Sequence, residues 1–477
     1  LRSPAYSLTQ ANFRLNASLG LRKKTQSFRR VRIILIAHYW HTEDIVRKQY
    51  LLVLVIFATL YFTNKAFGSA ALAFANPSTS GTTTCGVQEA INSLPATGGK
   101  VITQWSGTCT ATTTITITKP IELEGLGAGG ISSEWNISAG AILANGSAGS
   151  DLITITLPSG ASYLEGVTIH DIALKGNRSI GATAGDNISI VGTSASDLSN
   201  IYIDRVTSFG AGGNNLSIQN NAYMIHVSQS QFIYGGGNGI SITNGSGGQP
   251  SQIHFSQINS SLNTGDGIYV NTSIAADIHA YQSTFADNLN GIYIAASSSA
   301  SYLDAIGCDF EQNTNAGADL LSMGPNSIIN STFPADGTQQ YGIYEDPGSS
   351  VNWVQTVLNL MDDSLQTNQT ADLYLSSNVH LATIYQQQAS KYAGSTLIED
   401  LSNGGARWYT ADYLSLSQNG FIVTPPGGSG GFAVDPTGQA NASSYAVSGV
   451  GGFTGSKTVG SCTLNIQSGI ITSVTGC

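Results

Sequence analysis

SQIHFSQINSSLNTGDGIYVNTSIA at 251–275, ADIHAYQSTFADNLNGIYIAASSSA at 276–300 and SYLDAIGCDFEQNTNAGADLLSMGP at 301–325 are three successive copies of one pattern. Ile253-His254-Phe255, Ile278-His279-Ala280 and Leu303-Asp304-Ala305 recur at steps of 25, and Ile225-His226-Val227 stands 28 residues before the first of them. Asn238, Asn263, Asn288 and Asn313 keep the step of 25, as do Phe285 and Phe310. A second strand returns as Gly267-Ile268-Tyr269-Val270 and Gly291-Ile292-Tyr293-Ile294, echoed by Gly317-Ala318-Asp319-Leu320 and Gly342-Ile343-Tyr344. Such a period is one turn of a parallel β-solenoid. No single rung can bury its apolar side chains, so stacking at about 4.8 Å per rung supplies the core. The four asparagines are then expected as a corner ladder, where Asn tolerates left-handed backbone and its amide can bond to the next rung. Leucine-rich repeats have a similar period, but their regular leucine spacing is missing.

Outward from this centre the same style continues. The chain has 55 glycines and only 12 prolines, with Ser, Thr and Asn crowding between short runs of Ile, Leu, Val, Phe and Tyr. Toward the N-terminus come Val101-Ile102-Thr103, Thr114-Ile115-Thr116-Ile117 and Pro120-Ile121-Glu122-Leu123-Glu124-Gly125, each short and alternating. Before them, Val87, Ala90, Ile91 and Leu94 fall at helical spacing. From Val101 to about Tyr385 the period predicts roughly ten to twelve rungs. Beyond Ala411 a β-rich tail is broken by Pro425-Pro426-Gly427-Gly428, and a terminal hairpin is expected around Ser468-Gly469.

Charge and the N-terminus speak to location. Eleven of the 19 Lys and Arg residues lie at or before Lys65; beyond Ala75 there are 8 basic and 27 acidic residues, a difference of −19. That surface repels nucleic-acid phosphates and anionic lipid. Arg47 and Lys48 precede the apolar run Leu51–Phe62, and small residues lead to Ala73-Phe74-Ala75, the order of a secretory signal too short to span a bilayer comfortably. The expected division is therefore 1–45 as an upstream extension or disordered stretch, 46–75 as signal peptide, 76–400 as the β-helix and 401–477 as a small C-terminal β-rich region. A secreted or cell-surface location follows, with no stable membrane insertion after cleavage. An exported chain permits disulfides, and Cys85–Cys109 and Cys462–Cys477 bracket its two ends, leaving Cys308 alone.

The helix-then-strand opening resembles that of the pectate-lyase-like superfamily of right-handed parallel β-helix proteins, over roughly residues 85–390. The resemblance implies an all-β solenoid with a short N-terminal helical cap, and raises polysaccharide lyase or glycoside hydrolase activity. Of the polygalacturonase-like motifs, Gly265-Asp266-Gly267 is a partial echo and Asp362-Asp363 lies late; Gly-His-Gly and Arg-Ile-Lys are absent. Lyase-like elimination places a base beside calcium-bridging carboxylates. Arg205, next to Asp204, is the one Arg or Lys within 179–390, so that pair is the expected place for chemistry and Ca2+ the cofactor it raises.

Two-residue alternation turns the middle of each triplet outward. His226, His254, His279 and Asp304 are thus expected in one solvent-facing column, with Tyr202 or Asp204 near its start and His170 in a similar local pattern. Imidazole both donates and accepts, which suits a hydroxyl-rich ligand. Tyr269 and Tyr293, with Tyr344 and an intervening Asp319, form a second outward set whose ring faces could stack on sugars. Together these features point to an exported carbohydrate-binding or carbohydrate-active protein for an extended polysaccharide. The alternative is a non-enzymatic adhesin, structural component or tailspike-like receptor binder.

Overall fold

A computed structural model describes residues 71–378 apart from short interruptions, and past 378 the backbone of separate strands. Residues 1–45 and the apolar run Leu51–Phe62 lie outside the described residues. Each turn of the chain contributes up to three short strands. One rung runs Ser251–Ser256, Asn259–Ser261, Ile268–Asn271, and the next Asp277–Tyr281, Thr284–Ala286, Asn290–Ile294. Pairing between rungs is parallel on all three faces: Ile253 with Ile278 and then Leu303, Phe285 with Phe310, Ile268 with Ile292. The fold is a right-handed parallel β-helix. Its third face is an 11-stranded sheet from Ile115–Ile117 to Thr396–Asp400, within the expected range of rungs.

At both ends strands extend the ladder. On the first face the ladder opens with Leu72–Ala75, paired to Lys100–Thr103 and burying Ala73 and Ala75. The four last residues of the segment assigned to the signal peptide therefore act as a strand. At the other end the ladder runs on to Ala406–Thr410 before pairing turns antiparallel, in Phe421–Val423 with Phe432–Val434 and in Cys462–Gln467 with Ile470–Thr475. The latter pair is the terminal hairpin; Cys477, and with it the Cys462–Cys477 bridge, lies outside the described residues.

Helix Val87–Ser93 buries Val87, Ala90 and Ile91 beside the first strands. From it Gln88 reaches the backbone of Thr116, accepting from its N–H at 2.6 Å and donating to its carbonyl at 3.1 Å. A side-chain amide thus substitutes for a missing rung at that edge, where unpaired strand groups are costly. Cys85 and Cys109 are bonded to each other, and Cys308 is free and buried.

In the described rungs alternation sends most Ile, Leu and Val residues inward, and Phe285, Phe310 and Phe333 stack in the core with centroids 5.3 and 4.7 Å apart. Beside them a glycine is obligatory: a Cβ on Gly317 would stand 2.5 Å from the Phe333 ring. The corner after the first face is left-handed in rung after rung, at Arg205, Gln229, Gln257 and Gln282 with φ between 47 and 56°.

The asparagine ladder is present with one correction. Asn263 Nδ2 donates to Asn288 Oδ1 at 3.0 Å, Asn288 to Asn313 at 3.4 Å and Asn313 to Gln339 Oε1 at 3.4 Å, all buried. Upstream the ladder passes to Asn215, whose Nδ2 donates to Asn263 Oδ1 at 3.1 Å. Asn238 is not part of it. In its rung the ladder position is Gly235, whose N–H donates to Asn263 Oδ1 at 2.8 Å. Asn238 instead joins an outer ladder, bonding to Asn214 and accepting from the Asp266 N–H. Its step of 25 to Asn263 does not follow the register: this rung is 28 residues from the next on every face, so Gly235 lies opposite Asn263 and Asn238 opposite Asp266.

Candidate functional site

On the first face Tyr202, His226, His254, His279 and Asp304 occupy one register, rung upon rung. The outward column expected from the triplets is one geometric feature, and Tyr202 rather than Asp204 starts it. Centroid separations are 5.0 Å for Tyr202–His226, 5.1 Å for His226–His254 and 4.6 Å for His254–His279, with planes within 11° of parallel. Parallel strands impose this, because equal rotamers repeat along the axis at the rung spacing. Partial burial lowers the pKa of His226 and His254, and at His254 the neighbouring imidazoles lower it further. Near neutral pH these two rings are uncharged, each with one donor and one acceptor nitrogen.

His279 closes the stack within a polar cluster. Its Nε2 lies 2.6 Å from Asp277 Oδ1, its Nδ1 lies 3.5 Å from Asp304 Oδ2, and the Tyr281 hydroxyl stands 3.3 Å from Nδ1. Tyr302 meets the ring edge-on and hydrogen-bonds to Asp277; burial, with that carboxylate, pushes its phenol up to about 12. Asp277 sits two residues before His279, hence on the same outward face, the signal by which alternation alone could have joined it to the site.

Asp204 lies in the adjacent outward column with His170, Ser228, Ser256 and Tyr281. Its neighbour Arg205 clamps Asp171 through Nε at 2.7 Å and Nη2 at 2.8 Å, while Nη1 contacts Asp204. That guanidinium holds Asp171 down at about 2. Asp204 also accepts from Ser228 at 2.6 Å. The pair chosen for chemistry is thus saturated by its own surroundings. His170 extends this network, its Nδ1 2.7 Å from Asp171 and its Nε2 3.0 Å from Glu122. Glu122, Glu124 and His170 offer ligand atoms close enough together for a cation. Lys100 already bridges both glutamates, however, and lowers the pKa of Glu122. The cluster carries its own counter-ion, so its donor set gives calcium no particular support.

Tyr269, Tyr293, Asp319, Tyr344 and Tyr374 share a register on the third face, a different surface from the histidines. Tyr269 stacks on Tyr293 at 5.6 Å and Tyr344 on Tyr374 at 4.7 Å. Where two of these rings face each other, those two surfaces cover one another. Asp266, the partial motif echo, is buried at a corner and bonded by Asn290. It belongs to the outer ladder.

No family model matches the chain, and no curated protein does. Among solved structures it is similar to ORF18 of Geobacillus virus E2, at 12% identity over 91% of this chain and 79% of that one, TM-score 0.47. It is also similar to the A-module of the Azotobacter vinelandii mannuronan C-5 epimerase AlgE4, at 12% identity over 74% and 98%, TM-score 0.46. A third is PfbA, a surface adhesin of Streptococcus pneumoniae, at 12% identity over 75% and 95%, TM-score 0.25. Among the described residues no helix is long and apolar enough to cross a membrane.

Proposed function

We propose that the protein is an exported polysaccharide-binding β-helix that holds an extended glycan along the first face. The observation that carries this reading is the unbroken column Tyr202–His226–His254–His279–Asp304. Its polar ring edges recur every ~5 Å, a spacing close to the rung rise and to the length of one sugar residue. Neutral imidazoles satisfy hydroxyls as donor and acceptor alike, directly or through a bridging water.

Retention without cleavage is favoured over catalysis at Asp204 and Arg205, because both side chains are committed to Asp171 and Ser228. Should chemistry occur, His279 between Asp277 and Asp304 is the better-equipped place, with an imidazole flanked by two carboxylates. The test incubates the protein with a broad glycan panel, with and without calcium, and measures retention together with new reducing or unsaturated ends. Binding lost in His254→Ala, with no new ends, supports a binding module. Products abolished by changes at His279, or at Asp204 and Arg205, make it an enzyme. Neither retention nor products, with a protein partner on the same face, leaves the adhesive alternative.

A further inference from the structure

Strand Leu72–Ala75 is the first member of the first-face ladder, and the residues on either side of it belong to the ladder too. The strand pairs in parallel with Lys100–Thr103; the Ala71 carbonyl accepts from the Lys100 N–H at 2.7 Å and the Ala75 carbonyl from the Gln104 N–H at 3.0 Å. Ala73 and Ala75 are buried in the same core as Val101 and Ile91, and Ala71 packs against it. Helix Val87–Ser93 lies on this strand as well as on the next one.

The neighbouring sequence leaves room for this stretch of backbone. A Cβ on Gly99 would stand 2.3 Å from the Ala71 carbonyl oxygen, and one on Gly86 would stand 2.5 Å from that of Asn76. Neither approach is open to a side-chain carbon, so glycine at 86 and at 99 is matched to a chain that runs from 71 to 76. Without it the Lys100 and Gln104 N–H groups lose their acceptors, and the helix loses one of the strands it covers.

After the apolar run Leu51–Phe62, small residues stand at the alternate positions a signal peptidase reads in several registers, Gly68-Ser69-Ala70 and Ala73-Phe74-Ala75 among them. A cut after Ala71, Ala73 or Ala75 would each remove ladder backbone. Gly68-Ser69-Ala70 is the last register whose cut keeps all of it.

We infer that the export signal ends at Ala70 and that a signal peptidase cuts the Ala70–Ala71 bond, so that the mature chain begins on its first ladder residue. Water adds across that amide, leaving a carboxylate on Ala70 and an ammonium on Ala71, and no other reactant is consumed. This cleavage presupposes the export proposed above and is independent of any ligand on the first face.

The test expresses the full chain, behind an added initiator Met, in a secreting bacterium. The first residue of the protein recovered outside the cytoplasm is read by N-terminal sequencing, with intact mass as a second measure. The expected result is Ala71 as first residue, and loss of this cut in Ala70→Phe, which places a large ring where a small residue is read. That variant leaves every ladder residue unchanged, so it reports on the cut and not on folding. A first residue at Asn76, or at any other position inside the strand, would overturn the cleavage site while leaving export standing, as would an unshifted cut in Ala70→Phe. A chain that keeps Leu51–Phe62 and stays with the cells would overturn the site and export together.

Discussion

Asp319 and His254 pull the pH dependence of stability in opposite directions, and each can be isolated by one substitution. A carboxyl raised in the folded state binds its proton more tightly there than in the unfolded chain. Its stabilising share is fully present below the unfolded value of ~4 and is lost as pH climbs through the folded value, about 7. Asp319→Asn is expected to stabilise the protein at pH 8 by roughly 3 kcal/mol and to change little at pH 4, read from urea midpoints at both pH values. A lowered imidazole behaves the other way: His254 contributes above ~6.5 and loses its contribution as pH falls below it. His254→Gln should flatten the acid limb and leave the alkaline one, and a variant that left both limbs unchanged would remove the case for a neutral stack. Within the core, Asn288→Val strands Asn263, whose N–H and amide both donate to Asn288 Oδ1. The expected loss is ~1–3 kcal/mol, measured by urea denaturation.

Rung, corner and end were not equally legible as elements. Triplets such as Ile253-His254-Phe255 carry their own period of two, so inward and outward sides followed from the residues and the His column was placed correctly. Register depends on the length of each rung, which the loops between strands can change. Asn238 kept a perfect step of 25 and still landed outside the ladder, because its own rung is 28 residues long, with three more residues in the loop after Thr243 than the next rung has after Asn271. Side-chain ion pairs were hidden for a related reason: Arg205 and Asp171 meet 34 residues apart, across rungs of unequal length. At the N-terminal end, Cys85–Cys109 ties the helix segment to the second strand of the first full rung, over a separation of 24. Reducing it should cost about 3 kcal/mol by the loop-entropy estimate. Cys308 is the internal control. Burial lifts its thiol to about 11, so iodoacetamide should label it only after unfolding, checked by peptide mass.

Over the whole molecule, three ladders of parallel hydrogen bonds run along one axis, and each rung leans on the rungs before and after it. Stability in such an array is a sum of neighbour terms, so opening begins at the ends. Amide exchange should therefore be slowest around the Phe285–Phe310–Phe333 stack and faster toward Leu72–Ala75 and Ala406–Thr410; uniform protection along the chain would contradict the neighbour-by-neighbour account. The same regularity has a consequence for anything held on the first face. His226, His254 and His279 present nearly identical edges at nearly identical intervals. A homopolymer shifted by one rung meets almost the same partners, so its bound positions are degenerate and separated by low barriers. Such a ligand would slide along the column as on a rack, with the chemistry changing at Tyr202 and at the His279–Asp304 cluster, which serve as its two stops.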